Sequence, residues 1–117
     1  MNYNVFALDE FKKNTKKLSK KYKKIKVDIL ELVNQLESDP HNIGIHLFNN
    51  CYKIRIPNSS IPTGKSGGFR VITYFIDKSS NVYLLTIYSK SDQEDISDSK
   101  IVDLIKSVEN EFLKHNK

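Results

Sequence analysis

Two runs of alternating residues joined by a polar turn constrain this chain more than any other feature. Residues 69–76 (FRVITYFI) and 82–90 (VYLLTIYSK) alternate with period two and are rich in β-branched and aromatic side chains, which is typical of strands. Residues 77–81 (DKSSN) between them are turn formers. We therefore predict a hairpin in which Val82, Leu84, Thr86, Tyr88 and Lys90 share one face. The paired ends of antiparallel strands lie side by side, so Arg70 is expected next to Tyr88 and Lys90.

Length and composition indicate one domain, residues 1–117, with a core large enough to fold alone. The net charge of +5 suggests an acidic or polyanionic partner. Cys51 is the single cysteine, which fits a reducing compartment. No apolar run approaches the roughly 20 residues of a membrane span, and no signal peptide is evident at the N-terminus. A cytoplasmic protein with no membrane association is therefore expected.

In the N-terminal third of the chain, a predicted strand is followed by predicted helix. Residues 2–8 are expected to form an edge strand. From Phe11 to Leu36, apolar residues recur every three or four positions, which indicates one buried helical face, and Pro40 stops the helix. This region is either one helix of about 30 residues or two antiparallel helices that break between residues 22 and 26.

Nine lysines and no acid occur in residues 12–26. A solvated helix face would explain them, because lysine is a good helix former that keeps its amine in water. A surface for the phosphate backbone of a nucleic acid would also explain them, and the density of charge favours this second interpretation. Its candidate contacts are Lys16, Lys20 and Lys23.

The remaining elements complete an α+β domain. Residues 45–56 are predicted to form a strand interrupted at Asn49 and Asn50 by a turn or bulge. A last amphipathic helix, with its basic end at residues 114–117, starts either at a capping box formed by Ser91 and Glu94 or near Ser97. The expected order is β-α-α-β-β-β-α, with the helices on one face of a largely antiparallel sheet.

Several common sites are excluded. Gly64, Lys65 and Ser66 resemble the end of a phosphate-binding P-loop, but Ser59 occupies the position of the first glycine of that motif and a strand follows instead of a helix. The histidines are scattered and lack metal-ligand spacing with Cys51. Cys51 has no base nearby in sequence, which favours a buried thiol over a nucleophile.

A cluster of cations on the open face of the sheet is the feature that best fits a binding site. Mutual repulsion makes such a cluster costly unless a polyanion binds it, and aromatic rings among cations suit unstacked bases of RNA. For Lys53, a position at the sheet edge with the amine in water remains an equal alternative. The cluster consists of Lys53, Arg55, Lys65, Arg70 and Lys90, with Tyr88 and Tyr74 beside them.

These residues carry a resemblance to a known family. The strings KIR at residues 53–55, GKSGGFRVI at residues 64–72 and IYSKSDQEDI at residues 87–96 resemble the RelE/ParE toxin superfamily of type II toxin–antitoxin modules, with the HigB-like branch as the nearest match. The resemblance extends over nearly the whole chain and includes the leading strand and the lysine-rich helices.

The resemblance implies an endoribonuclease that cuts mRNA in the decoding site of the ribosome, without a metal or cofactor. A ribose 2′-OH attacks the neighbouring phosphodiester and leaves a 2′,3′-cyclic phosphate and a 5′-OH end. Arg70 would stabilise the phosphorane, and Arg55 and Lys65 would contact the RNA backbone or the transition-state charge. Lys90 would be a second stabiliser or the acid, and Tyr88 or Glu94 the base. Ser91 and Ser97 occupy the positions of the RelE arginine and tyrosine, so those two roles do not carry over.

Two alternatives remain open at this point. ParE-like relatives share the fold and inhibit DNA gyrase without cutting RNA, although they tend to lack the convergent arginines and lysines. A noncatalytic RNA-binding module would show affinity without cleavage. Under either toxin interpretation, the resemblance implies an acidic antitoxin protein that neutralises the basic face, with affinity that falls as salt rises.

Overall fold

The computed structural model describes residues 2–61, 68–93 and 95–113, which form a five-stranded sheet with helices on both faces. A π-helical turn, Glu109–Leu113, extends the last helix. The predicted α+β class is confirmed, and the elements follow the predicted order except that the strand expected at residues 45–56 is two strands. Within the described ranges no helix is both long and apolar enough to cross a membrane. The elements are β1 (Asn4–Ala7), α1 (Asp9–Ser19), α2 (Ile25–Ser38), β2 (Ile45–His46), β3 (Cys51–Ile56), β4 (Phe69–Ile76), β5 (Asn81–Ser89) and α3 (Asp98–Val108).

The sheet has the strand order β1-β5-β4-β3-β2. The predicted hairpin is confirmed as the antiparallel pair β4–β5. Among the described strands, β1 pairs with β5 in parallel and the other pairs are antiparallel. The predicted interruption at Asn49 and Asn50 is a turn between β2 and β3, with Asn49 in the left-handed region at φ 49°. Gly44 precedes β2 at φ +89°, and a Cβ there would lie 2.5 Å from the Lys53 carbonyl oxygen, so only glycine fits.

The two faces of the sheet bury two separate clusters, each closed by different helices. Phe11 of α1 and Leu32 of α2 pack with Val71 and Val82 on one face. Leu104 of α3 packs with its neighbours on the other face, which is lined by Cys51, Ile72, Tyr83 and Leu85. The expectation that all helices lie on one face is therefore wrong for α3. Both sides of β4 and β5 are apolar enough to be buried, so a second helical layer is needed.

A β-bulge in β5 changes which residues share a face. Ile72 pairs with Thr86, but Thr73 pairs with Leu84, so Leu85 is an extra residue on β5. Val82 and Leu84 pack in the cluster with α1 and α2, and beyond the bulge it is Ile87 that packs there. The predicted common face of Val82, Leu84, Thr86, Tyr88 and Lys90 is thus divided at Leu85. β5 also ends at Ser89, one residue before Lys90.

Of the two alternatives for residues 9–36, the structure has two helices. The break falls at residues 20–24 although neither glycine nor proline occurs there. Tyr22 is buried in the break and meets the ring of Phe69 edge-on at 5.4 Å between centroids. The backbone N–H of Lys24 donates to Ser60 Oγ at 2.8 Å. Tertiary contacts with the sheet and the loop after β3 therefore define this break.

The observed start of α3 decides between the two starts that the sequence allowed, at Ser91 and near Ser97. α3 begins at Asp98, and Ser97 is its N-cap, because Ser97 Oγ accepts a hydrogen bond from the Lys100 backbone N–H at 3.2 Å. The alternative start at Ser91 is wrong, since residues 91 and 92 form part of a turn and residue 93 follows that turn, all outside the helix. Glu94 and the basic end at residues 114–117 lie outside the described residues, as do residues 62–67 with Lys65.

Candidate functional site

A row of three polar side chains crosses the sheet near one end of β3, β4 and β5. Arg55 of β3 pairs directly with Arg70 of β4, and Arg70 pairs directly with Tyr88 of β5. Directly opposed residues of antiparallel strands project from the same face. We call these residues the Arg55–Arg70–Tyr88 row. The predicted convergence of Arg70 with Tyr88 is confirmed, and Arg55 joins them.

Arg70 is the buried centre of this row. Only 8% of its surface is exposed, whereas Arg55 is exposed. Arg70 Nη1 donates to the Phe69 carbonyl oxygen at 3.4 Å, and among the described residues no carboxylate lies within ion-pair distance of its guanidinium. Buried charges in proteins are normally paired, because desolvation is expensive. An anion bound at the row would supply the missing opposite charge.

Asp95, in the loop between β5 and α3, lies at the edge of the row. Its Oδ1 atom lies 3.5 Å from both the Tyr88 hydroxyl and Lys53 Nζ, and it also accepts a hydrogen bond from the Ile96 backbone N–H at 2.9 Å. Sequence reasoning missed this residue. The only signal was the acidic stretch at residues 92–95, which does not reveal which carboxylate turns toward the sheet.

The two partners in this contact have pKa values shifted in opposite directions. Burial, and then the negative charge of Asp95, raise the pKa of Tyr88, while Arg70 acts against that rise. The backbone N–H of Ile96 and the cation of Lys53 lower the pKa of Asp95. At neutral pH the phenol therefore keeps its proton and the carboxylate is ionised. In this pair, Tyr88 is a donor and Asp95 is an acceptor.

Lys90 follows β5 directly, next to the strand that carries Tyr88. Its backbone N–H donates to the Gly68 carbonyl oxygen at 3.0 Å, which ties this position to the residue that precedes β4. Its side chain is half-buried. The predicted placement of Lys90 near the start of β4 is therefore confirmed at the level of the backbone. Lys65 and Glu94, the other two candidate catalytic residues, lie outside the described residues.

The other candidate RNA contacts are distributed over two regions. Lys53 Nζ lies 3.5 Å from Oδ1 of Asp95, the residue at the edge of the row. Tyr74 is not part of the row: it pairs with Cys51 and Tyr83, packs in the cluster under α3, and has a raised pKa because of burial. The lysines of the N-terminal segment lie on the helical layer instead, and they are exposed at the surface: Lys16 and Lys20 at the end of α1 and Lys23 in the break before α2.

An apolar groove with a basic rim lies between β1, α1 and α2. Its volume is about 640 Å³, and its walls include Phe6, Ile29, Leu30 and Val33. Leu30 is 61% exposed, which is unusual for a large apolar residue bordering a groove. β1 is also the edge strand of the sheet. Three lysines form the rim: Lys12, Lys16 and Lys26. We call this feature the α1–α2 groove.

The described residues include no group of three or more histidine, cysteine, aspartate or glutamate side chains arranged to hold a metal ion.

Cys51 is fully buried, as expected, and burial raises the pKa of its thiol to about 12. The neutral thiol is therefore the stable form, and Cys51 acts as a core residue.

Two solved structures share this architecture. The first is a free mutant of the toxin RelE from E. coli, with a TM-score of 0.58 and 16% identity over 97% of this chain and 100% of that one. The second comes from the RelBE2 toxin–antitoxin complex of Mycobacterium tuberculosis, with a TM-score of 0.59 and 17% identity over 79% of this chain and 95% of that one. No family model matches the sequence. At this level of identity the similarity establishes a RelE-like fold.

Proposed function

We propose that this protein is the toxin of a type II toxin–antitoxin module, of the HigB-like kind, and that it cleaves mRNA on the ribosome. The observation that carries the proposal is the Arg55–Arg70–Tyr88 row with a buried Arg70 that has no carboxylate within ion-pair distance among the described residues. A phosphodiester is the anion that suits two adjacent arginines. The RelE-like fold and the motifs around residues 53–55, 64–72 and 87–96 support the same conclusion.

In the proposed reaction the ribose 2′-OH loses its proton and attacks the adjacent phosphorus. The bond to the 5′-oxygen then breaks, and that oxygen takes up a proton. Arg70 faces the charge that develops on the phosphorane, and its buried position makes this interaction strong because little water competes for the guanidinium. Arg55, which is exposed and directly opposite, holds the RNA backbone. Lys90 adds positive charge next to β4, and Lys65 remains a candidate from the sequence for contacting the RNA backbone or the transition-state charge.

The protonation states of Tyr88 and Asp95 suggest a division of the proton transfers. Tyr88 keeps its proton, so it fits the role of a donor to the leaving oxygen better than that of a base. Asp95 is ionised and lies 3.5 Å from the Tyr88 hydroxyl, so we assign it the role of proton acceptor, as an alternative to the sequence candidate Glu94. Lys90 remains the second candidate for the acid.

We further propose that an acidic antitoxin inhibits the protein by filling the α1–α2 groove. Leu30 and Phe6 offer apolar surface at the groove, while Lys12, Lys16 and Lys26 attract a negatively charged segment. An amphipathic helix with an acidic border has the matching chemistry. One of the two similar structures is itself a toxin–antitoxin complex. Under this proposal both partners, the ribosome with its mRNA and the antitoxin, are encountered in the cytoplasm.

The test is inducible expression of the wild type, Arg70→Lys and a matched control, Lys78→Ala, followed by mapping of 5′ ends on a reporter mRNA. Arg70→Lys retains the charge but loses the planar fork that holds two phosphate oxygens. We expect growth arrest and new 5′ ends inside translated codons for the wild type and the control, and a loss of about 100-fold or more in cleavage for Arg70→Lys. Lys78 is exposed at the opposite end of β4.

Two outcomes would overturn the proposal that this protein is a ribonuclease. Arrest with intact mRNA and induction of the DNA-damage response would indicate a gyrase inhibitor of the ParE kind. Soluble, folded protein that binds RNA without arrest or cleavage would indicate a noncatalytic binding module.

A further inference from the structure

A second pocket is separate from the α1–α2 groove and shares Tyr88 with the row. It measures about 350 Å³, within the range of small-molecule sites, which is about 300–1,000 Å³. β1 pairs with β5 only up to Leu84, so the later part of β5 presents its open edge to α1. The pocket lies at this edge and is bordered by Tyr88 and Ser89, by one face of α1, and by Asp92 and Gln93 of the following loop.

The walls of this pocket combine apolar surface with positive charge. Leu18 of α1 and Ile87 of β5 are the apolar residues that line it, and apolar surface suits the face of a nucleobase. Lys17, in the last turn of α1, and Lys21, in the break after it, also line the pocket. Two ammonium groups next to an apolar slot match a nucleotide, which has one planar apolar part and one phosphate.

Besides the two lysines, the pocket contains side chains that present acceptors. Asn14 Nδ2 already donates to Thr86 Oγ1 at 2.9 Å and to Glu10 Oε2 at 3.4 Å. Gln93 Nε2 donates to the Asp95 carbonyl oxygen at 2.8 Å. Asn14 Nδ2 has two acceptors for its two N–H groups, and one of the two N–H groups of Gln93 is engaged. Both amides offer their side-chain oxygens, and Asp92 adds a carboxylate. A base that presents N–H donors satisfies these acceptors.

We infer that this pocket binds one nucleotide of the RNA substrate, next to the phosphate held by the Arg55–Arg70–Tyr88 row, and that it prefers guanine. Guanine presents two adjacent donors, N1–H and the N2 amino group, to which a carboxylate can bind in a bidentate manner. Uracil presents a single donor between two carbonyl groups and would place its oxygens against Asp92. Lys17 and Lys21 contact the phosphate of the same nucleotide. This inference deepens the proposed function and rests on it for the identity of the substrate.

Nucleotide binding to the purified protein tests the pocket without requiring cleavage. GMP and UMP are titrated against the wild type and against Asp92→Asn, Lys17→Ala and the control Lys106→Ala, which removes an exposed lysine of α3. Amide chemical shifts report where the nucleotide binds and whether each variant is folded. We expect GMP to bind at least about fivefold more tightly than UMP, with shifts at Asn14, Ser89 and Gln93. Asp92→Asn should remove the preference, and Lys17→Ala should weaken both nucleotides equally.

The outcomes separate this inference from the proposed function. Equal affinity for GMP and UMP, or shifts located away from α1 and the end of β5, would overturn the pocket assignment even if the protein cleaves RNA. The expected binding pattern in a protein that never cleaves RNA would support the pocket and overturn the ribonuclease instead. Mapping of cleavage sites provides the second readout, since Asp92→Asn should lose any preference for guanine beside the cut, whereas the control Lys106→Ala should keep it.

Discussion

Arg70 and Tyr88 are direct partners across β4 and β5 because β5 contains one residue more than its partner strand at the bulge. If the pairing of Thr73 with Leu84 continued without a bulge, Arg70 would lie opposite Ile87, an apolar residue of the other face. The extra residue, Leu85, therefore brings a phenol onto the same face as the buried arginine. Bulges are known to redirect side chains near active sites, and this one assembles the row.

The contact between Tyr88 and Asp95 predicts how cleavage responds to substitution and pH. The pKa of Tyr88 is raised and that of Asp95 is lowered, so neither group changes protonation between about pH 5 and 9. Tyr88→Phe and Asp95→Asn should each slow cleavage by about 100-fold, and the wild-type rate should show no titration from these groups in that range. Single-turnover rates at several pH values measure both effects. A rate that follows a group titrating near pH 7, and that loses this dependence in Tyr88→Phe, would contradict the assignment.

The stability of the domain should depend on a buried carboxylate in α2. Asp28 is 5% exposed and accepts hydrogen bonds from the Ser59 backbone N–H at 3.0 Å and from Ser59 Oγ, which ties α2 to the loop after β3. Asp28→Ala should lower the free energy of unfolding by about 1.5–3 kcal/mol, because it removes charge-assisted hydrogen bonds. Urea denaturation measures this change. Asp103→Ala, at an exposed position of α3, is the control and should stay within about 0.5 kcal/mol.

The thiol of Cys51 should be inert while the protein is folded. Burial raises its pKa to about 12, so almost no thiolate exists at pH 8. Because the folded state favours the protonated thiol, this contribution to stability is present below the ordinary pKa of 9.0 and is lost as the pH rises toward 12. Alkylation followed by mass spectrometry should show no reaction at pH 8 in buffer and complete reaction in urea. Rapid modification of the native protein would show that the thiol is accessible.

If the antitoxin binds in the α1–α2 groove, a substitution there should reduce inhibition by the antitoxin without reducing toxicity. Leu30→Lys places a charge on the exposed apolar wall, so it should weaken antitoxin binding by about tenfold or more while leaving cleavage intact. Val102→Lys is the matched control, since Val102 is an exposed apolar residue of α3 outside the groove. Calorimetry with the antitoxin measures binding. If both variants weakened antitoxin binding equally, the antitoxin would have to bind outside the α1–α2 groove.

Local patterns in the sequence predicted most of the elements. The alternation of residues 69–76 and 82–90 predicted the hairpin, because strand pairing needs only a period of two and a turn, and both are local properties. The same pattern brought together the strand ends that carry Arg70 and Tyr88, but the direct pairing of these two residues depends on the bulge. The helical spacing of residues 11–36 identified the buried side of α1 and α2, but it did not decide where the break falls, which depends on Tyr22 packing against Phe69.

The sequence by itself determined the α+β class and the hairpin, and it identified Arg55 and Arg70 as candidate site residues, since these inferences follow from periodicity, turn chemistry and charge. Only the tertiary structure decided that α3 covers the second face, that the bulge at Leu85 redirects Tyr88, and that Asp95 approaches it. These three features depend on residues distant in the chain. Their energies come from burial and register between elements, and a pattern read along one segment carries no information about them.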